Sequence, residues 1–283
     1  MRALVFGRGS IYQEFYEPLL QKSKFLIEIY DPAIEGLDKL PTNSYFDIVI
    51  VASPPQFHIS NAIQVIENNI AFEKLIIEKP ALTSLSEWSM FQAMFSKKLN
   101  SIFTLTPRRL SPTYEFLVRN SSRLRSFEFH YNVLSKWTLN FESHRIYNNC
   151  LYDLGPHFVD LITSSLTETR EWIISKRLNE FNKFNFIIRT STTDGKFIVN
   201  RSGYGINIFK FILEDGTRGF IPLDTNGLLY SSQSFDNYSP KALKTANFID
   251  EFRSLMQNNN SLLFSPVQDF LPVLNILEGV QND

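Results

Sequence analysis

The first 31 residues constrain the fold most, because they follow the order strand, glycine turn, helix, strand and acid. Residues 2–7 form an apolar run that predicts a strand, and Gly7-Arg8-Gly9 opens a segment with helical apolar spacing. A second apolar run, residues 25–30, ends at Asp31, which lies 24 residues after Gly7. This order predicts a dinucleotide-binding α/β domain, in which glycines let the backbone approach a pyrophosphate and the acid binds a ribose diol.

The glycine turn departs from the usual G-x-G-x-x-G pattern at its third glycine, where Tyr12 stands. Two glycines alone also fit an ordinary turn between a strand and a helix, with Asp31 as a loop acid. If the site binds a dinucleotide, the carboxylate of Asp31 favours NAD, because it would repel the 2′-phosphate of NADP. NADP stays possible, since Arg8 could reach the adenosine ribose.

Two further apolar runs end in polar turns. Residues 47–52 lead into Ser53-Pro54-Pro55-Gln56-Phe57-His58, and residues 75–77 lead into Glu78-Lys79-Pro80. A lysine at the carboxyl end of a buried strand stands where ligands bind in open α/β sheets, although a solvated surface lysine is the simpler interpretation. His58, taken alone, is typical of a structural loop histidine.

The sequence pattern changes after residue 107. Six strand-like runs follow between residues 124 and 223, with hairpin signals at Asp194-Gly195, Ser202-Gly203 and Asp215-Gly216. An amphipathic helix is predicted over residues 242–256. We therefore predict an α/β protein with a Rossmann-type, doubly wound parallel sheet in residues 1–107. Residues 108–283 are expected to form an α+β domain with a mostly antiparallel open sheet, which binds substrate and makes oligomer contacts.

A second stretch that contains candidate catalytic residues is Tyr152-Asp153-Leu154-Gly155-Pro156-His157-Phe158-Val159-Asp160. Gly155-Pro156 predicts a helix start, which places Asp153 just outside the helix and His157 in its first turn. Carboxylates on both sides of a histidine can orient its ring and stabilise its protonated form. The alternative is that Asp153 only caps the helix and His157 packs in a core.

Composition excludes several classes of protein. The 283 residues are 43% hydrophobic and 20% charged, with a formal net charge of −1, so no basic surface indicates a nucleic-acid partner. One cysteine allows no internal disulfide or cysteine-based metal cluster, and no metal site is expected. Neither a signal peptide nor a membrane span is indicated, which predicts a cytoplasmic protein without membrane partners.

The motifs occur in the order seen in one enzyme family. Its pattern is matched by Gly7-Arg8-Gly9, Asp31, Ser53 to His58, Glu78-Lys79-Pro80, Arg108-Arg109 with Pro112, and Asp153 to Asp160. The chain thus resembles the glucose-fructose oxidoreductase and inositol dehydrogenase family (Gfo/Idh/MocA type) over nearly its whole length. The resemblance implies a nucleotide-binding domain followed by an α/β domain with an open sheet.

The resemblance also implies residue roles. Lys79, Asp153 and His157 are the expected catalytic residues. The expected cofactor-binding residues are Gly7, Arg8, Gly9, Ser10, Ile11, Tyr12, Asp31, Ser53, Pro54, His58, Glu78 and Lys79. The candidate substrate-binding residues are Lys79, Arg108, Arg109, His144, Arg145, Tyr152, Asp153 and His157. The two neighbouring arginines could hold a carboxylate or phosphate, or simply pair with acids of the protein itself.

We therefore expect an oxidoreductase that transfers hydride between NAD(P) and a hydroxyl or carbonyl of a sugar, sugar acid or nucleotide-activated sugar. A small-molecule substrate and a homodimer or homotetramer are the expected partners. The departures at Tyr12 and at residues 147–150 leave a second hypothesis open, a family member that has lost catalysis and serves as a binding or scaffold subunit. A reductase similar to biliverdin reductase is a weaker alternative, which the chain length favours.

Overall fold

A computed structural model of the protein describes residues 1–132, 150–166, 172–180, 183–201, 207–223, 245–258 and 261–282. The chain divides into two compact units. The first contains Met1–Thr106 and Thr245–Leu271, and the second contains Pro107–Lys244 and Pro272–Asp283. The break after Thr106 lies one residue from the expected boundary, whereas the return of Thr245–Leu271 to the first unit was not predicted.

The first unit is built on a six-stranded sheet. Its strands are β1 (Arg2–Phe6), β2 (Leu26–Tyr30), β3 (Tyr45–Val51), β4 (Ala71–Ile77), β5 (Ile102–Leu105) and β12 (Phe264–Pro266). The strand order is β12-β5-β4-β3-β1-β2, with β1 to β5 parallel and β12 antiparallel to β5. The predicted parallel sheet is confirmed. Its central strands are apolar runs because helices cover both faces of such a sheet.

The strand order sets where a ligand can bind. Strands β2 and β3 lie on opposite sides of β1, so the direction of the strand order reverses between β1 and β3. In open α/β sheets the crevice at such a switch point, outside the carboxyl ends of the strands, is the usual ligand site. The turns that begin at Gly7 and at Ser53 follow these two strands.

Helices pack around this sheet. They are α1 (Glu17–Lys22), preceded by a π-helical turn (Tyr12–Tyr16), α2 (His58–Glu67), α3 (Leu85–Phe95) and α6 (Thr245–Asn258). Ser84 caps α3 as predicted, and its hydroxyl oxygen accepts a hydrogen bond from the Glu87 amide at 3.1 Å. Helix α6 belongs to this unit because Phe252 contacts Phe25 and Phe264, with ring centroids 5.9 and 6.0 Å apart.

The second unit carries the predicted, mostly antiparallel sheet. Its strands are β6 (Leu124–Asn132), β7 (Ile173–Glu180), β8 (Lys183–Arg189), β9 (Asp194–Asn200), β10 (Ile208–Leu213) and β11 (Arg218–Pro222). The order is β11-β10-β6-β9-β8-β7, and only the β6–β9 pair is parallel among these described strands. The remaining helices are α4 (Pro112–Asn120), α5 (Cys150–Ser165) and α7 (Leu271–Asn282).

Aromatic side chains fill the core of the second unit. Phe129 of β6 stacks on Phe197 with ring centroids 5.4 Å apart, and it contacts Phe158 of α5 at 5.3 Å. Phe209 of β10 lies 4.7 Å from Phe129 on its other side. Alternation along the strands directs these rings to one face of the sheet, which α5 covers.

Two local predictions were wrong. Asp194-Gly195 does not form a hairpin turn but begins β9, and the turn lies earlier, where the Thr190 amide donates to the Thr193 carbonyl at 2.9 Å. Gly155 and Pro156 do not start a helix but lie inside α5, which already includes Cys150. Asp153 is therefore in the helix. Among the described residues, no helix is both long and apolar enough to cross a membrane.

Candidate functional site

Gly7 closes the turn after β1 against the end of β3. Its φ angle is +94°, and a Cβ atom built on it would lie 2.8 Å from the backbone N and Cα of Ser53. Any other residue would be strained in this conformation and would also collide with backbone. The glycine therefore lets the two turns at the switch point approach each other.

Gly9 is a glycine for a different reason. A Cβ atom built on it would meet nothing within 4 Å, and its φ angle lies outside the left-handed region. Its carbonyl accepts a hydrogen bond from the Gln13 amide at 3.1 Å, so the helical backbone begins here. The contacts of the protein itself do not require a glycine at this position, whereas the approach of a phosphate to a helix amino terminus would.

Asp31 braces the glycine turn from the end of β2. One carboxylate oxygen accepts the Arg8 amide at 2.8 Å, and the other accepts the Ala33 amide at 3.1 Å. A carboxylate oxygen has more than one acceptor site, so the side chain can still receive hydrogen bonds from a diol. The acid thus fixes the backbone of the glycine turn at Arg8 and keeps acceptor capacity for a diol.

Tyr12 does not stand in the open turn. Its ring is 1% exposed, and its hydroxyl lies 3.5 Å from Glu17, inside the first unit. Burial raises the pKa of Tyr12, and the negative charge of Glu17 adds to this shift. The helix accommodates the ring by the wider π-helical turn of Tyr12–Tyr16, a feature that often occurs at functional sites. We therefore assign Tyr12 to the core and not to the cofactor-binding residues.

His58 also proves to be structural. Its side chain is 1% exposed, and its two ring nitrogens lie 2.9 Å from the Pro80 carbonyl and 2.8 Å from the Ser53 carbonyl. Burial lowers the pKa of His58 to about 4, so the ring is neutral near pH 7 and donates its one N–H to one of these oxygens. The residue joins the turns after β3 and β4 and is not available to a cofactor.

Glu78 is buried as well. One carboxylate oxygen accepts the Tyr16 hydroxyl at 2.7 Å, and the other accepts the amide of Lys79 at 3.1 Å. Burial raises the pKa of Glu78, while the Tyr16 hydrogen bond and the charge of Lys79 oppose that shift. Both carboxylate oxygens of Glu78 are thus used by groups of the protein itself, and one of them supports the backbone of Lys79.

Lys79 keeps the position that the sequence predicted. It is the second residue after β4, and the last three residues of that strand, Leu75, Ile76 and Ile77, are fully buried. Lys79 itself is half-buried, at the same edge of the sheet as the turns at Gly7 and Ser53. An ammonium group at the carboxyl edge of the sheet can hold an oxygen on which negative charge develops.

The residues at this edge fit a dinucleotide. Space is open over Gly9, amides lie at the start of a helix, and Asp31 offers carboxylate acceptors. Ser10 is half-buried and Ile11 is 37% exposed, so this backbone is accessible. Pro54 is exposed beside Ser53, whose hydroxyl accepts a hydrogen bond from Asn61 at 2.8 Å.

In the second unit, Asp153 is held by an arginine that the sequence did not indicate. One of its carboxylate oxygens lies 2.9 Å from Nη2 of Arg201, whose side chain is 5% exposed, while Asp153 is 28% exposed. His157 is half-buried and follows Asp153 by four residues, so both lie on one face of α5. The described structure thus brings Asp153 and His157 together within their domain.

Arg109 is engaged inside its domain by an acid of the protein. Its Nε and Nη2 atoms donate to the two carboxylate oxygens of Asp160 at 2.9 and 2.6 Å, and both side chains are buried. Such a bidentate pair uses the same donors that would hold a substrate carboxylate or phosphate. Of the two interpretations of this arginine, pairing with an acid of the protein is the one observed.

The other substrate-binding candidates of the second unit are Arg108, Tyr152, His144 and Arg145. Arg108 is 9% exposed, and its guanidinium carbon lies 4.5 Å from the centre of the Phe158 ring and 5.2 Å from that of Tyr131. Tyr152 is 2% exposed, and its hydroxyl donates to Gln281 of α7. Both are packed in the core of their domain. His144 and Arg145 lie outside the described residues.

Two residues were missed in the sequence. Tyr16 lies four residues after Tyr12 in the first helical segment, and the sequence pattern there indicates only a residue of the hydrophobic core. Arg201 follows β9 directly, at a position where an arginine usually points to solvent. No local pattern connects them with Glu78 and Asp153, which lie 62 and 48 residues away along the chain.

The fold and the edge of the first sheet define a dinucleotide-binding α/β protein, and comparison with known proteins supports this class. Residues 11–105 match the profile of the Gfo/Idh/MocA proteins, described as an oxidoreductase family with an NAD-binding Rossmann fold. These residues thus match the NAD-binding Rossmann domain of that oxidoreductase family, in agreement with the sequence resemblance. No curated protein shows significant sequence similarity to the chain.

Solved structures share the fold over the whole length. UDP-N-acetylglucosamine 3-dehydrogenase GnnA from Acidithiobacillus ferrooxidans is 15% identical, with a TM-score of 0.72 over 100% of this chain and 97% of its own. The dehydrogenase MviM from Clostridium difficile is 17% identical, with a TM-score of 0.67 over 100% and 99%. An oxidoreductase from Thermotoga maritima is 14% identical, with a TM-score of 0.71 over 99% and 95%. At these identities the likeness concerns the fold.

The two glycines of the turn allow a matched test of their different roles. Gly9→Ala should change the free energy of unfolding by less than about 0.5 kcal/mol, since the new methyl group meets nothing. It should weaken NADH binding about tenfold or more, because the methyl group fills the space over the turn. Gly7→Ala should instead destabilise the fold by about 1–3 kcal/mol. Urea unfolding and calorimetric titration with NADH measure both effects. Unchanged NADH affinity in Gly9→Ala would contradict the placement of the phosphate site.

The buried Arg109–Asp160 pair makes a second prediction. Asp160→Asn leaves the buried guanidinium without its countercharge and should lower the free energy of unfolding by about 3–5 kcal/mol. Glu115→Gln is the matched control, because it breaks the exposed pair with Arg119 and should lower stability by only about 0.3–0.5 kcal/mol. Chemical denaturation compares the two variants, and equal losses would show that Arg109 is not dependent on Asp160.

Proposed function

We propose that the protein is an NAD(P)-dependent oxidoreductase that transfers hydride between a nicotinamide and a hydroxyl or carbonyl group. The observation that carries this proposal is the carboxyl edge of the first sheet, where the glycine turn follows β1, Asp31 follows β2, and Lys79 lies just after β4. The match of residues 11–105 to the profile of an oxidoreductase family with an NAD-binding Rossmann fold supports it. We take Asp153 and His157 as catalytic by the resemblance of their motif to that family.

The residue types suit this chemistry. Oxidation of a secondary alcohol removes a hydride, which the nicotinamide accepts when it is bound, and a proton, which a protein base must take. An imidazole, whose ordinary pKa lies near neutrality, is suited to take the proton, and we assign that role to His157. Lys79 would hydrogen-bond the same oxygen and stabilise the negative charge that develops there. Asp153, held by Arg201, would orient the imidazole.

NAD is the preferred cofactor in this proposal. The two backbone hydrogen bonds to Asp31 hold a carboxylate at the end of β2, where a 2′-phosphate would be repelled. Arg8, whose side chain is exposed next to Asp31 in space, leaves NADP as the second choice.

For the substrate, we propose a sugar, a sugar acid or a nucleotide-activated sugar. The retained lysine, aspartate and histidine resemble the sugar-acting pattern of the family. A protein of the same fold is named as a UDP-N-acetylglucosamine 3-dehydrogenase, which supports the nucleotide-activated class for this chain. Arg109 is not part of this proposal, because its donors are used by Asp160.

The proposal predicts a loss of turnover in each of two variants. NAD(H) should bind the parent protein, and a panel of sugars, sugar acids and UDP-sugars should include a compound that reduces NAD⁺. Lys79→Ala and His157→Ala should each lower that turnover about 100-fold or more, because each removes a group that moves or stabilises charge on the reacting oxygen. Absorbance of NADH at 340 nm measures the rate.

The exposed Lys22 and the half-buried His130 provide controls. Lys22→Ala removes an exposed lysine of the first unit, and His130→Ala removes a histidine that pairs with Glu128 on the open sheet. Both should keep full turnover. Undiminished turnover in Lys79→Ala and His157→Ala would overturn the assigned roles. Absence of NAD(H) and NADP(H) binding would instead favour the non-catalytic binding subunit.

A further inference from the structure

Tyr16 and Glu78 form a buried pair next to the lysine to which we assign the chemistry. The Tyr16 hydroxyl donates to Oε1 of Glu78 at 2.7 Å, and both residues are at most 5% exposed. The second oxygen of Glu78 accepts the backbone amide of Lys79 at 3.1 Å. The carboxylate therefore connects the first helix of the domain with the backbone of Lys79.

A separate contact fixes Pro80, the residue that follows Lys79 in the chain. The carbonyl of Pro80 meets His58, whose other ring nitrogen meets the carbonyl of Ser53. Ser53 in turn packs against Gly7, at the start of the glycine turn. The helix that follows the glycine turn is thus linked through Tyr16 and Glu78 to Lys79, and the turn itself is linked through Ser53 and His58 to Pro80.

The burial of a carboxylate at position 78 indicates that Glu78 does more than fill space in the core. A carboxylate in the core is unfavourable unless hydrogen bonds and a countercharge stabilise it, and a leucine or methionine would fill the space without that cost. The titratable groups facing Glu78 are the Tyr16 phenol and the Lys79 ammonium. Both act to keep the carboxylate ionised, and an ionised carboxylate accepts the Lys79 amide more strongly than a neutral acid would.

We propose that Glu78, which accepts hydrogen bonds from the Tyr16 hydroxyl and the Lys79 amide, is a positioning residue for Lys79 and joins that lysine to the helix of the glycine turn. This inference rests on the proposed function, because the position of Lys79 matters only if that lysine contacts a bound ligand. It adds two residues to the reaction that do not themselves touch the reacting atoms.

The amide of Lys79 offers a direct readout in the protein without cofactor. Its ¹H and ¹⁵N chemical shifts, followed by NMR between pH 4 and 9 and assigned with Lys79→Arg, should show one transition as Glu78 ionises. Glu78→Gln should abolish that transition. In Tyr16→Phe the transition should move to higher pH, because the hydrogen bond that lowers the pKa of Glu78 has been removed.

Tyr45→Phe is the matched control. It removes a phenol that donates to Glu73 of β4 at 2.6 Å on the exposed surface, and it should leave the Lys79 transition unchanged. NADH affinity, measured by fluorescence, should fall about tenfold in Tyr16→Phe and stay at the parent value in Tyr45→Phe. Tenfold corresponds to the loss of about one hydrogen bond, or about 1.4 kcal/mol.

The outcomes separate this inference from the proposed function. If the parent protein fails to bind NADH, the proposed function fails, while the amide transition still tests the link between Tyr16, Glu78 and Lys79. If the parent binds NADH and Tyr16→Phe changes neither the transition nor the affinity, the positioning role is overturned. Should Tyr16→Phe fail to fold, Glu78→Gln tests the same link, and a Lys79 transition that persists in that variant overturns it.

Discussion

The contact of one buried imidazole with two backbone carbonyls determines where the candidate site lies. His58 meets Ser53 at the end of β3 and Pro80 just beyond β4, so both turns are held at the same edge of the sheet. A net hydrogen bond in a protein contributes about 0.5–1.5 kcal/mol, but an unsatisfied buried carbonyl costs about 1–3 kcal/mol. The neutral imidazole has one N–H, so it satisfies one of these two carbonyls and prevents that loss in one of the turns.

Much of this edge could be predicted from the sequence, because the determining signals are local. Apolar runs that stop at Ser53 and at Glu78 mark the strand ends, and Gly7 marks a turn that other residues disfavour. The positions of Asp31 and Lys79 follow from those strand ends. The roles of neighbouring residues could not be predicted in this way. Burial of Tyr12 depends on a wider helical turn, which hydrophobic spacing does not reveal, and Glu78 finds its phenol 62 residues away.

The second domain shows the same limit for charged residues. Arg109 and Asp160 are 51 residues apart in the chain, and only the packing of the turn before α4 against α5 brings them together. An arginine followed by a helix that begins at a proline gives no local sign of a buried partner. Helix α6 presents a related difficulty, since its amphipathic pattern indicates a buried face but not which sheet that face covers. The sequence therefore supports the class of each element better than its partners.

The central claim is that the carboxyl edge of the first sheet binds a nicotinamide dinucleotide beside Lys79. A crystal structure of the protein with NAD⁺ tests it most directly. We expect the pyrophosphate at the amides that follow Gly9, the adenosine ribose at Asp31, and the nicotinamide within hydrogen-bonding reach of Lys79, with Tyr12 still buried. A dinucleotide bound elsewhere, or a Tyr12 ring that occupies the glycine turn in place of the pyrophosphate, would contradict the account.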